Sequence, residues 1–204
     1  MIKKQNYLKH AIVLFLLLLL MQPGRAWAAY ENVEFSSLTN HDGLTNSQVG
    51  AILKDTRGYI WFGTQSGLCR FDGFRMKTFY YSNTDDKSLP NNSVDELQQD
   101  YGGNIWVHTS VGYCIYKYDE EQFERKPEEW LKNIHVQGPP YKLLIDKDKN
   151  MWIAVYGQGL YYHNAKTKNT YLFKFTKKAQ PGCLKEGNIS KITEVDGDAL
   201  ITYG

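Results

Sequence analysis

Apolar and polar residues alternate in short runs along most of this chain, and the runs come in fours. Val49 to Leu53 alternates as a half-buried strand does, and Tyr59 to Gly63 is rich in the aromatic and β-branched residues that suit a pleated surface. Leu68 to Phe71 and Arg75 to Tyr80 follow at the same short spacing. Turn residues separate the runs: Asp55-Thr-Arg-Gly58, Thr64 to Gly67, and the hairpin-like Asp72-Gly73. The pattern predicts one antiparallel sheet of four strands.

That sheet then recurs. The stretch from Asp55 to Asp72 returns as Asp100 to Asp119 and again as Asp146 to Asn164, with Trp61, Trp106 and Trp152 spaced 45 and 46 residues apart. Gly67, Gly112 and Gly159 keep the same place in each copy. A fourth copy opens at Asn188 to Val195, turns at Asp196-Gly-Asp198 and continues through Ala199 to Tyr203, with Leu200 where the others carry tryptophan. A period of this length belongs to propellers and solenoids. One small sheet cannot cover both of its faces, so it must stack on a neighbour, and radial stacking of four-stranded sheets makes a β-propeller. The expected fold is therefore all-β, an incomplete propeller of about three and a half blades. The expected divisions are a signal peptide over 1–28, an opening strand and lead-in over 29–45, blades over 46–87, 88–135 and 136–180, and a partial blade over 181–204.

The first segment reads as an address. Lys3, Lys4 and Lys9 precede an apolar run from Ala11 to Met21, Pro23-Gly24 breaks it, and Ala26-Trp-Ala28 offers small residues for cleavage. The run is shorter than the roughly 18 to 20 residues needed to span a bilayer, so export with removal of the segment is expected. Cleavage changes the charge picture: the whole chain is +2, but four of its 24 basic residues lie in the leader, leaving 20 against 22 acidic ones. No basic footprint for nucleic acid remains. Composition is otherwise that of a globular protein, except for 15 tyrosines, which suit half-exposed strands or a sugar-facing surface.

The connectors are less regular. Pro127 to Asn133 combines a proline with early acids and predicts a short helix. Gly138-Pro139-Pro140 marks a rigid approach to the third blade, and Thr170 to Phe175, flanked by lysines, reads as a guarded outer edge. Asn46, Asn92 and Asn188 recur before the blades as turn formers. The three cysteines lack zinc-site spacing. Cys69 and Cys114 occupy equivalent places in adjacent blades, whose sheets pack about 10 Å apart, too far for an easy bridge; both read as small buried hydrophobes. No cofactor or metal is expected.

Asn46, Val49, Asp55, Gly58, Ile60, Trp61, Gly63, Thr64, Gly67, Leu68, Arg70 and Asp72 together resemble the two-component regulator propeller repeat. The leader followed by Phe35-Ser-Ser-Leu-Thr-Asn-His-Asp-Gly-Leu-Thr-Asn46 resembles the start of hybrid two-component sensors of gut Bacteroidetes. The later copies drift, with His108 in place of the glycine at Gly63 and Asp148 and Asn150 in place of the turn glycine. The resemblance implies a periplasmic sensor of two propellers, then a β-sandwich, a membrane helix, a histidine kinase, a receiver and a DNA-binding domain, responding to glycan oligosaccharides. It makes this chain a piece of a longer protein, whose other blades and signalling domains are its partners, with a homodimer of the full-length protein kept open.

Residues repeated in every blade read as scaffold, since chemistry is not needed once per blade. That covers Asp55, Asp100, Asp146, the three tryptophans and the three glycines. Function is expected where the copies differ, on the face where blade connectors and second-to-third-strand loops gather. Gln65, His108, Ser110, Tyr156 and Gln158 in those loops, with Ser47 and Tyr141 near blade starts, are the candidate ligand-binding residues; tyrosine faces and amides suit sugar rings and hydroxyls. No catalytic residue is nominated. The alternatives are a glycan-cleaving propeller, disfavoured because Arg57, Arg70, Arg75 and Arg125 form no evident cluster for an acid sugar, and a protein-binding scaffold.

Overall fold

The computed structural model describes residues 37–176, 183–185 and 188–204. The expected leader and most of the opening strand lie outside the described residues. Four sheets follow one another. The first holds β1 (Val49–Lys54), β2 (Ile60–Thr64), β3 (Gly67–Phe71) and β4 (Met76–Phe79); the second holds β5 (Val94–Gln99), β6 (Ile105–Thr109), β7 (Gly112–Lys117) and β8 (Gln122–Glu124). A short helix, α1 (Pro127–Leu131), and a 3-10 turn, Lys132–Ile134, lead to the third: β9 (Pro140–Ile145), β10 (Met151–Val155), β11 (Gly159–His163), β12 (Thr170–Thr176) and β13 (Leu184–Lys185). The fourth is the hairpin of β14 (Ile189–Val195) and β15 (Asp198–Tyr203). Within each sheet consecutive strands are antiparallel neighbours, except that β13 runs parallel to β12. The first strands lie beside one another, β1 by β5, β5 by β9 and β9 by β14, as in blades that converge on an axis. This is an incomplete β-propeller.

Strand alternation sends side chains to opposite faces and so decides which gap each one fills. Trp61 points into the gap between the first and second sheets, with Leu68, Val94, Leu97, Ile105, Val107 and Tyr116, while its neighbour Phe62 points the other way, towards Leu44 and Cys69. Trp106 repeats the arrangement one sheet on, with Leu143, Met151 and Ile153. Both indoles are buried, at 0% and 1% exposure. At 150–250 Å² per large aromatic, each contributes roughly 4 to 6 kcal/mol of transfer free energy as an upper bound. Trp152 is only half-buried, against Tyr162, Phe173 and the two-stranded hairpin. Leu200 takes the corresponding face of β15 and is 56% exposed.

Side-chain amides weld the sheets edge to edge. Gln98 Nε2 donates to the Leu143 carbonyl (2.9 Å) and Gln98 Oε1 accepts from Ile145 N–H (2.5 Å), so one amide pairs with β9 as a further strand would. Gln99 does likewise for the first sheet's turn, accepting from Thr56 N–H (3.0 Å) and donating to Thr56 Oγ1 (3.1 Å). These bonds satisfy backbone groups that an edge strand would otherwise leave open.

One expectation needs correction. Thr170 to Phe175 is not a bare outer edge guarded by lysines, because β13 returns along its far end, pairing Phe175 with Leu184 and Thr176 with Lys185. Lys168, one of those lysines, instead lies 3.5 Å over the ring of Tyr101 on the second sheet. Asp196 turns the chain where expected, though by a different route from Asp55. It sits at φ +51 beside Gly197 at φ +90 in a two-residue hairpin loop, a turn made by backbone conformation. Elsewhere the short helix forms where proline and acids predicted it and carries Trp130 against Trp106 (5.4 Å). Cys69 and Cys114 are buried at equivalent points of β3 and β7, and burial pushes the Cys114 thiol up.

One buried polar group in this packing titrates. His163 accepts no solvent: its Nδ1 pairs with Thr170 Oγ1 (2.9 Å), which in turn donates to the Ile134 carbonyl (2.6 Å), and its Nε2 has no hydrogen-bond partner. Burial first, then the Lys168 charge, lowers its pKa from 6.5. A folded-state pKa below the unfolded one means that folding stability is full above about pH 6.5 and declines as the pH falls through the folded value, because the unfolded chain takes the proton first. Urea unfolding at pH 7.5 and 5.5 is expected to show this acid-side loss shrinking in His163→Leu; an unchanged loss would assign it elsewhere.

Candidate functional site

The strand count fixes two faces. Loops between second and third strands and the connectors that begin each blade share one; the aspartate turns share the other. On the connector face the loops are tied to the connectors by hydrogen bonds: Asn46 Nδ2 to Ser66 Oγ (2.9 Å), Gly67 N–H to the Asn92 carbonyl (2.8 Å), Ser110 N–H to the Ser93 carbonyl (3.2 Å) and Gln158 Nε2 to the Gln137 carbonyl (2.8 Å).

Of the seven residues expected to bind ligand, the structure joins some and separates others. Tyr141 and Tyr156 are stacked, ring centroids 3.9 Å apart and planes 17° from parallel. The Tyr141 hydroxyl accepts from Ile189 N–H (3.1 Å), anchoring the inner ring to the fourth sheet, whereas Tyr156 is 63% exposed and presents a free aromatic face. Gln65 and Ser110 meet through Ser93, whose hydroxyl donates to Gln65 Oε1 (2.8 Å). Gln158 is turned inwards, donating to Gln137 and accepting from the Tyr161 hydroxyl. Ser47 is exposed.

His108 is held by residues the sequence did not single out. Its Nδ1 lies 2.6 Å from Asp95 Oδ1 and its ring centroid 4.5 Å from that of Tyr113. The Tyr113 hydroxyl donates to Glu96 Oε2 (3.0 Å) and accepts from Leu143 N–H (3.2 Å). Burial, then the Glu96 charge, pushes the Tyr113 phenol well above its usual range, so it stays a donor. Asp95 escaped notice because a bulge between Val94 and Glu96 breaks the alternation that would have assigned its direction. Gln137 was hidden in a connector without periodicity.

The opposite face is structural. Asp55 Oδ1 accepts from Arg57 and Tyr59 N–H (2.9 and 3.0 Å), and Oδ2 accepts from Trp61 Nε1 (2.7 Å) and the Tyr118 hydroxyl. Asp100 repeats the set with Gly102, Asn104 and Trp106 (3.0 Å). Asp146 bonds Asn150 by backbone and side chain. Arginines are committed elsewhere: Arg70 lies 4.5 Å from the Tyr59 ring centroid and donates to Tyr116 and Glu121, Arg57 covers Tyr118, and Arg125 donates to the carbonyls of Ser82, Asp85, Ser88 and Leu89.

Residues 43–66, the first copy from its lead-in through β2, match the two component regulator propeller family. That stretch carries the two component regulator propeller repeat. This propeller is 41% identical over 61 residues to histidine kinase P4 of Formosa agariphila, a match covering 30% of this chain and 4% of that kinase. It resembles the extracellular domain assigned to the hybrid two-component system BT3049 of B. thetaiotaomicron, at 24% identity and a TM-score of 0.57, over 82% of this chain and 24% of that one. The corresponding domain of BT4673 from the same organism is 16% identical with a TM-score of 0.40, over 68% of this chain and 27% of that one. The chain thus spans a small part of each relative's length. Among its described residues no helix is long and apolar enough to cross a membrane.

Proposed function

We propose that this chain is part of the exported, periplasmic, ligand-sensing region of a hybrid two-component sensor, and that it binds an oligosaccharide without transforming it. The Tyr141–Tyr156 stack carries the reading. A tyrosine whose back is braced by a second ring and whose front is open offers a rigid apolar platform for a sugar face at low entropic cost. The regulator repeat and the histidine-kinase relative support the sensor context. Signalling itself would belong to further domains, with the missing blades as partners in the same sensor.

Calorimetric titration of the chain with a panel of oligosaccharides tests this. One saccharide is expected to bind, and Tyr156→Ala to weaken it about tenfold, the worth of a stacking contact, with the unfolding temperature unchanged because the ring is exposed. Equal affinity in the variant would remove the platform. A catalytic reading has one observation in its favour, the close His108–Asp95 pair; turnover of an oligosaccharide that disappears in His108→Ala would replace binding by catalysis.

A further inference from the structure

Behind the loop that carries Tyr156, the third sheet holds a second concave surface, on the side facing the second sheet. A cleft of about 600 Å³ opens between the connector after the 3-10 turn, at His135 and Gln137, and the outer strands β11 and β12, at Tyr161, Tyr171 and Lys174, with Gln158 between the two walls. That is within the range of small-ligand sites, roughly 300–1,000 Å³. Its walls are set. His135 is held at φ +62 as the cap of the 3-10 turn, and Thr170 Oγ1 donates to the Ile134 carbonyl just before it (2.6 Å). Gln158 ties the Gln137 carbonyl to the Tyr161 hydroxyl across the cleft.

The electrostatics of the lining are one-sided. No carboxylate lines the cleft, and the ammonium of Lys174 has no acidic partner among the described residues. Four other lysines are paired, Lys77 with Glu121, Lys117 with Glu124, Lys132 with Glu129 and Lys147 with Glu194, and what sets Lys174 apart is its place in the lining of a concavity. Here the cation lines a concavity that also offers an imidazole, the amides of Gln137 and Gln158 and the ring of Tyr161. A lone cation in such a concavity favours an anion, and the ring and amides favour a polyhydroxylated body.

We infer that this cleft binds an anionic sugar, one bearing a carboxylate or a sulfate, with Lys174 reading its charge and the Tyr161 and Gln137 side supporting its ring. The inference rests on the carbohydrate-sensing reading and narrows its ligand class. Lys174 lies on the exposed side of β12, so changing it leaves the fold intact.

The test is calorimetric titration of the full chain, its Lys174→Gln and Lys174→Glu variants, with trigalacturonate, a sulfated chondroitin disaccharide and neutral maltotriose, at 50 and 300 mM salt, each protein checked by thermal unfolding. Binding of trigalacturonate or the sulfated disaccharide, weakened at least tenfold in Lys174→Gln, lost in Lys174→Glu and reduced by salt, supports the inference, and the more tightly held probe names the anionic group. Anionic binding that is unchanged in Lys174→Gln overturns it. Binding of maltotriose alone overturns it too, while leaving carbohydrate sensing in place. If none of the three binds, the cleft assignment falls, and the platform is then judged by the wider panel with Tyr156→Ala.

Discussion

Asp55→Ala is expected to destabilise the protein by on the order of 3 to 5 kcal/mol, and Asp146→Ala by distinctly less. The two aspartates occupy the same place in the repeat, but their surroundings differ. Asp55 is 5% exposed, and its removal strands the Tyr118 hydroxyl proton and two backbone N–H groups and leaves Trp61 Nε1–H only its longer bond to the Tyr118 oxygen (3.2 Å). Each buried donor left unsatisfied costs about 1–3 kcal/mol, and an alanine leaves a void that water cannot fully repair. Tyr118 makes the loss cooperative, since burial and its bond to Asp55 hold its phenol protonated and aimed at that carboxylate. Asp146 serves a half-exposed turn through Asn150 and does not reach Trp152. Urea denaturation followed by tryptophan fluorescence distinguishes the two. Equal losses would mean that the aspartate acts only in the turn and that the indole bond is incidental.

The second large effect concerns a glycine. Gly159 begins β11 at φ +142, and a Cβ added there would lie 2.1 Å from the Phe173 carbonyl oxygen, an atom fixed in the β11–β12 ladder. Gly112, its counterpart in the second sheet, has φ +118 but open space around the added atom. Both substitutions to alanine carry backbone strain of about 1–3 kcal/mol; only Gly159→Ala adds a clash with backbone, which costs a further 1–3 kcal/mol or so through displaced strands. Gly159→Ala is therefore expected to lower the denaturation midpoint markedly more than Gly112→Ala. Matching midpoints would place the whole cost in φ and none in the close approach.

Both predictions turn on the same contrast between what recurs and what surrounds it. Counting repeats was enough to recover the four-sheet order, the tight turns, the connector helix and the burial of Trp61 and Trp106, because strand alternation and turn chemistry are local and act the same way in every copy. It was also enough to nominate the loops where copies differ. It was not enough to say which of those loop residues meet. Tyr141 and Tyr156 lie on different strands' ends and are joined only by the fold; His108 finds Asp95 because a bulge redirects one side chain; Gln158 spends its amide on Gln137 and Tyr161. The outer edge of β12 was misread for the same reason, since the strand that covers it comes from beyond the connector.

By itself the order of residues determined a period, a strand pattern inside each period and the positions at which a glycine, an aspartate or a tryptophan is wanted. These follow from steric and hydrogen-bonding preferences that span a few neighbouring residues. The tertiary structure alone decided which aspartate holds an indole, which glycine has no room for a methyl group, which tyrosines stack and which lysine is left facing an unpaired concavity. Those outcomes depend on atoms brought together from distant parts of the chain, where small differences between otherwise equivalent blades are amplified by close packing and by the scarcity of water in the gaps between sheets.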